Sequence, residues 1–174
     1  MEPTPPLGTP LFAATAALGA GTAVTAATEP NTIDRQAYRI GDAQLVIRFE
    51  DASELASLPD IARLPGAPDG VRGLTNLHGN IIPVMDIASW LGLKHDTSKV
   101  PMLLVCGYGE DAVGIIIDGL PDRKKFLPEQ IQAADHSHNT LALFTRARYR
   151  DPTGVWIELD ERRLFSEFTR PVSH

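Results

Sequence analysis

A single cysteine, Cys106, stands in 174 residues, which excludes an internal disulfide framework and fits a reducing compartment. It ends the apolar run MLLVC and therefore reads as a buried structural thiol, not a nucleophile. Cations are also in deficit: 16 Lys and Arg face 22 Asp and Glu, a net charge of −6. Nucleic-acid binding needs clustered cations to neutralise phosphate, and the one basic run, Arg123, Lys124 and Lys125, reads as a solvated loop. Aromatic residues make up 6% of the chain, too few for the stacking platforms of single-strand binders. No stretch reaches the roughly twenty strongly apolar residues of a membrane span.

Lys and Arg are missing altogether from residues 1–32, an Ala-, Thr-, Gly- and Pro-rich segment without lasting periodicity. Residues 1–33 are therefore expected to form a disordered leader. A secretory signal would need a basic n-region and a stronger apolar core, so a cytoplasmic location is expected. The remainder, 34–170, is expected to be one domain. Apolar residues at 43% are enough for a core, and 14 Gly with 14 Pro imply many turns, a balance that favours β structure.

From Tyr38 onward, four hairpins are predicted. AYRI and AQLVIRF flank Gly41-Asp42, and VRGLTNL and IIPVMD flank His78-Gly79-Asn80, both with residues that tolerate positive φ. PMLLVC and AVGIIID enclose GYGED, and LALFTRARY and GVWIEL enclose RDPT. Helices are few and short. Asp86 can cap IASWL, with Ile87, Trp90 and Leu91 on one face and Gly92 as the left-handed stop. Asp160 can cap a second helix that buries Leu164, Phe165 and Phe168. A strand ending in Asp before a short apolar helix thus occurs twice, which suggests two related β lobes.

Motifs for catalysis are lacking. His136 and His138 with Asp135, and His95 beside Asp96, match no ligand pattern such as H-E-x-x-H and read as loop histidines. No Gly-rich phosphate loop follows a strand, and no G-x-S-x-G occurs. No metal, cofactor or catalytic residue is assigned. A small hydrolase and a small β-barrel module that binds a ligand or nucleic acid are the competing classes.

The segment LPDIARLPGAPDGVRGLTNLHGNIIPVMDIASWLGL closely resembles the core motif of the CheW-like family, adaptor proteins of bacterial chemotaxis. That motif reads PG-P, then VxGxxNLRG, then PVxD and a short helix ending near Leu-Gly. The likeness extends to AVGIIIDGLPD and FLPEQIQ, so it covers about Tyr38 to Phe168. It implies a mainly β fold of two intertwined, SH3-like five-stranded barrels with a groove between them, and no enzymatic activity. The implied partners are the regulatory domain of a CheA-type histidine kinase and the cytoplasmic tip of a chemoreceptor, at a membrane receptor array. The same module serves type IV pilus and other CheA-like pathways.

Under this resemblance, Glu54, Arg72, Gly73, Asn76, Leu77, His78, Gly79 and Asn80 are candidate partner-binding residues. Pro65, Pro68, Pro83, Asp86, Gly114 and Asp118 complete the structural motif. Each has a plainer reading. Gly73 in a strand lets another backbone come close, and Pro83 removes a ladder donor, which suits an edge or a bulge. Asn76 can stabilise a turn, Asp86 can cap a helix, and Arg72 can be a solvated charge. His78 departs from the family, which usually carries Arg there, and Glu54 falls on the acidic position paired with that Arg. Arg is permanently charged and forks onto a carboxylate, whereas His is charged only near or below its pKa.

Overall fold

The computed structural model describes residues 31–134 and 140–168. Most of the leader and the pair His136 and His138 lie outside those residues.

The chain opens with β1 (Ile33–Ile40) and β2 (Ala43–Ile47), joined through Gly41-Asp42 as predicted. Strand structure begins earlier than Tyr38: Ile33, the last residue assigned to the leader, already pairs with Phe126. Next come β3 (Ala52–Ser57), β4 (Val71–Leu77), β5 (Asn80–Met85) and the helix α1 (Ile87–Trp90). β6 (Pro101–Cys106) and β7 (Val113–Asp118) form the third predicted hairpin. β8 (Asp122–Phe126), β9 (Ile131–Gln132), α2 (Thr140–Leu143), β10 (Thr145–Asp151), β11 (Gly154–Leu159) and α3 (Glu161–Phe168) follow.

Two sheets result, ordered β8-β1-β2-β11-β10-β9 and β3-β6-β7-β5-β4. Without the two-residue β9 they share one plan: an edge strand, a hairpin, then a second hairpin joined to the first in parallel. The parallel joints are β2 with β11 and β7 with β5. The second lobe, β3 to β7, is inserted between β2 and β8 of the first. Each lobe keeps a small core of its own, Ala37, Val46, Phe126, Tyr149 and Trp156 in one and Ile82, Val84, Leu103, Val105 and Ile116 in the other. The largest core lies between them and draws Tyr38, Ile40, Leu45 and Ile47 from one sheet and Met85, Leu104, Ile115 and Ile117 from the other.

Both Asp-capped helices are present. Asp86 Oδ1 accepts from the Ala88 N–H at 3.2 Å, Asp160 Oδ1 from the Arg163 N–H at 3.1 Å, and Gly92 has φ +72°. The helices plug opposite lobes into the shared core through Trp90, whose ring lies 5.0 Å from Phe144 and 4.9 Å from Phe168.

Two expectations are corrected. The basic run is no loop: Arg123, Lys124 and Lys125 sit on β8, paired with β1, where Arg123 meets Asp34 and Lys124 meets Asp151. Cations on an edge strand discourage pairing with another chain, so composition alone concealed a strand. LALFTRARY is not strand throughout, because Thr140–Leu143 turns once as helix before β10 begins. A short apolar run has no period that separates the two, and the Thr145 hydroxyl, donating to the Leu141 carbonyl at 2.9 Å, closes the turn.

Candidate functional site

The hairpin of β4 and β5 turns through His78 and Gly79 alone, with Asn80 paired to Leu77 inside the ladder. Both turn residues have positive φ, +51° and +89°. That is the backbone of a primed two-residue turn, and His is among the few side chains enriched in the left-handed region. Asn76 Oδ1 accepts from the Gly79 N–H at 2.8 Å, which holds the turn.

His78 Nε2 lies 2.7 Å from Glu54 Oε1. Glu54 belongs to β3 and the turn to the opposite end of the sheet order, so this contact brings the two edges of the lobe together. Glu54, Asn76, Leu77, His78, Gly79 and Asn80 therefore form one corner. Exposed Ile81 extends it as an apolar contact.

Arg72 and Gly73 are not part of that corner. They lie at the far end of β4, where the register shifts at a bulge. Arg72 Nη1 faces Asp86 Oδ2 at 3.6 Å. Gly73 is buried, and the backbone that comes close to it is the chain's own: Ala62, in the segment between β3 and β4, bridges to Leu74. That segment carries Pro65 and Pro68, both exposed, and the Pro68 carbonyl accepts from the Val71 N–H at 3.0 Å.

Pro83 lies in a strand flanked on both sides, but pairing with β7 involves only Val84 and Met85, so no ladder donor is lost. Gly114 has Leu103 seated over it, where a Cβ would come within 2.6 Å of Leu103 Cδ1. Asp118 and Asp86 share His95: Nδ1 is 2.5 Å from Asp118 Oδ1, and Nε2 is 3.1 Å from Asp86 Oδ1.

A cleft of about 670 Å3 opens between the lobes. Pro83, Tyr108 and Val113 line it from one lobe, and Arg146, Glu161 and Phe165 from the other. Sequence reading missed Glu161, which lies behind a capping Asp where a helix dipole favours an acid. Here it is only 5% exposed, and among the described residues its Oε1 has no hydrogen-bond partner. Burial pushes its carboxyl up to about 7, with its own N–H and Arg146 opposing, and Asp51 and Glu158 adding to the rise.

This has a consequence for stability. Below the unfolded value of 4.5 the acid is neutral in both states and its burial carries no charge penalty. As pH rises through about 7 the folded chain must hold a buried carboxylate, and stability falls. Thermal unfolding at pH 5 and pH 7.5 will show a larger loss of Tm for wild type than for Glu161→Gln. Equal losses would place the titration elsewhere.

No group of His, Cys, Asp or Glu among the described residues is arranged to hold a metal ion. Cys106 is buried, and burial, with Glu161 and Asp51, raises its thiol well above the usual value.

Comparison with known proteins matches residues 37–168 to the CheW-like domain. The chain belongs to the CheW-like family. Chemotaxis protein CheW of Klebsiella aerogenes is 30% identical over 108 residues, 60% of this chain and 64% of that protein. The chain thus spans just under two thirds of the length of this relative. Probable chemotaxis protein CheW of Rhizobium etli is 29% identical over 105 residues, 59% of this chain and 68% of that protein. Protein PilI of Pseudomonas aeruginosa is 28% identical over 82 residues, 47% of this chain and 46% of its own. The structure of scaffolding protein TtCheW from Thermoanaerobacter tengcongensis superposes with a TM-score of 0.67 at 16% identity, covering 76% of this chain and 87% of that one. At that identity the likeness speaks to the fold, two β lobes around a shared core.

Proposed function

We propose that this chain is a non-enzymatic signalling adaptor that joins the regulatory domain of a CheA-type histidine kinase to the cytoplasmic tip of a chemoreceptor. The observation that carries the reading is that the CheW-like match, residues 37–168, spans both the β4–β5 corner and the cleft between the lobes. The two surfaces suit different partners. A hairpin with an exposed Ile81, one of whose strands is the sheet edge β4, suits a partner built from similar sheets, the kinase domain. A groove with Tyr108, Val113 and Phe165 as apolar anchors suits a helical hairpin, the receptor tip, with the rim charges setting register.

Among the described residues no helix is long and apolar enough to cross a membrane. On the adaptor reading, the chain works on the cytoplasmic side at a receptor array.

Co-purification from native cells tests the reading: a CheA-type kinase and receptors should be recovered together, and recovery of nucleic acid alone would overturn it. His78→Arg supplies a permanently charged, forked partner for Glu54. Because both side chains are exposed, the gain in kinase affinity at pH 7.5 should be modest, roughly two- to fivefold by calorimetry. Unchanged affinity would remove the corner from the kinase contact.

A further inference from the structure

His95 sits in the loop between α1 and β6 of the second lobe, and that loop touches the β1–β2 turn of the first. Three contacts clasp it there. The Lys94 carbonyl lies against Gly41, where a Cβ would come within 2.0 Å of it and φ is +56°. The N–H groups of Gly41 and Asp96 both donate to Asp118 Oδ2, at 2.5 and 2.9 Å. The other oxygen of Asp118 takes His95 Nδ1 at 2.5 Å. One carboxylate at the end of β7 therefore ties the β1–β2 turn of the first lobe to the loop of the second.

The ring's other nitrogen completes the arrangement by meeting Asp86 Oδ1 at 3.1 Å. Carboxylate oxygens only accept, so both contacts require an N–H, and only the imidazolium has two. In the neutral ring one nitrogen turns a lone pair toward a carboxylate, and that contact is lost.

We propose that His95 is a proton-dependent latch: the imidazolium pins the loop onto Asp118 and Asp86 together, and its deprotonation releases one of these contacts and loosens the loop where it meets the β1–β2 turn. The surrounding charges favour the closed form. Asp86 and Asp118 face the ring directly, and Asp96 lies beside it, held by the Ser98 N–H and hydroxyl. Arg72 offsets Asp86 alone. Lys99 acts on Asp96, and on the β8 side Asp122 and Lys124 share a recess with Asp118, Lys124 being already paired with Asp151.

Burial lowers the affinity of the ring for its proton, but the bonds to Asp118 and Asp86 outweigh it, and its pKa lies above the usual 6.5. A folded value above the unfolded one means that the contribution is complete below about 6.5 and is lost as pH rises through the folded value. The latch therefore opens as pH rises through the folded value, above the usual 6.5.

Nitrogen NMR of the full chain, from pH 5.5 to 9, tests this without any partner, so its outcome is separate from that of the adaptor reading. At pH 6.5 both ring nitrogens of His95 should be protonated. The amide signals of Gly41 and Asp96 should shift with the same midpoint as the ring, and the protection of amides 92–99, corrected for base-catalysed intrinsic exchange, should fall at least tenfold above it. Asp86→Asn should lower that midpoint, and His95→Gln, checked for folding by circular dichroism, should abolish the pH dependence of Gly41 and Asp96. A singly protonated ring at pH 6.5, or a ring that titrates while Gly41 and Asp96 stay still, would overturn the latch.

Discussion

Gly73→Ala will destabilise the chain by about 2–5 kcal/mol, through backbone strain and overpacking together. The position has φ +143°, and a Cβ there would lie 2.1 Å from the Ala62 carbonyl oxygen and 2.9 Å from Ile61 Cγ2. The obstructing atoms are backbone, and they are held. The Ala62 and Leu74 N–H groups donate to each other's carbonyls at 2.8 and 2.9 Å, and the Thr75 hydroxyl donates to the Asp60 carbonyl at 2.8 Å. A methyl group must break this bridge or push β4 out of register. Against a total stability of about 5–15 kcal/mol, the expected loss is large and should lower Tm by roughly 5–20 °C. Gly73→Asp should be worse, because it adds a charge beside a carbonyl. Gly79→Ala is the control: its φ is +89° but nothing lies within 4 Å, so only the left-handed backbone penalty of about 1–2 kcal/mol remains. Circular dichroism melting decides. A Gly73→Ala protein that melts within two degrees of wild type would show that the segment between β3 and β4 can step aside.

Glu158→Ala should have a comparable or greater effect in the other lobe. Glu158 is 1% exposed on β11, and one oxygen accepts from the Tyr149 hydroxyl at 2.6 Å and from Arg35 Nε at 2.7 Å. The second faces Arg48 Nε at 3.2 Å and Arg146 Nη1 at 3.5 Å. Removing the carboxylate leaves converging guanidinium groups without their common anion and a buried hydroxyl without its acceptor. Breaking a buried pair from one side costs about 3–5 kcal/mol. Truncating Arg35 in the Glu158→Ala background should then cost less than in wild type, because the two share one interaction. Burial raises the Glu158 carboxyl, but Tyr149 and the arginines outweigh this and hold it below its usual 4.5, so its contribution is present above that value and lost as pH falls through the folded one. Glu158→Ala should accordingly show a shallower decline of stability in acid than wild type. Additive effects of the two truncations would mean that the arginines are held independently of Glu158.

The turns and caps were legible because their causes are local. Gly41-Asp42, His78-Gly79 and the Asp86 cap each follow from residue types that tolerate positive φ or accept a nearby N–H. The pairing of His78 with Glu54 was legible only through the resemblance, since 24 residues separate them and nothing local relates them. β8 and α2 were misread for opposite reasons, the first because its cations looked like a loop and the second because four apolar residues have no period.

By itself the sequence determined the hairpins, the two Asp-capped helices, the absence of a disulfide framework and membership of a family of two β lobes, all of which rest on order along the chain. Only the tertiary structure decided what Gly73 makes room for, that Glu158 gathers arginines from β1, β10 and the segment just after β2, that Glu161 is buried in the cleft, and that His95 spans Asp86 and Asp118. The reason is that burial and charge pairing depend on which distant strands the shared core brings together. A Glu or His has the same local propensity whether it meets water or a carboxylate from the other end of a sheet.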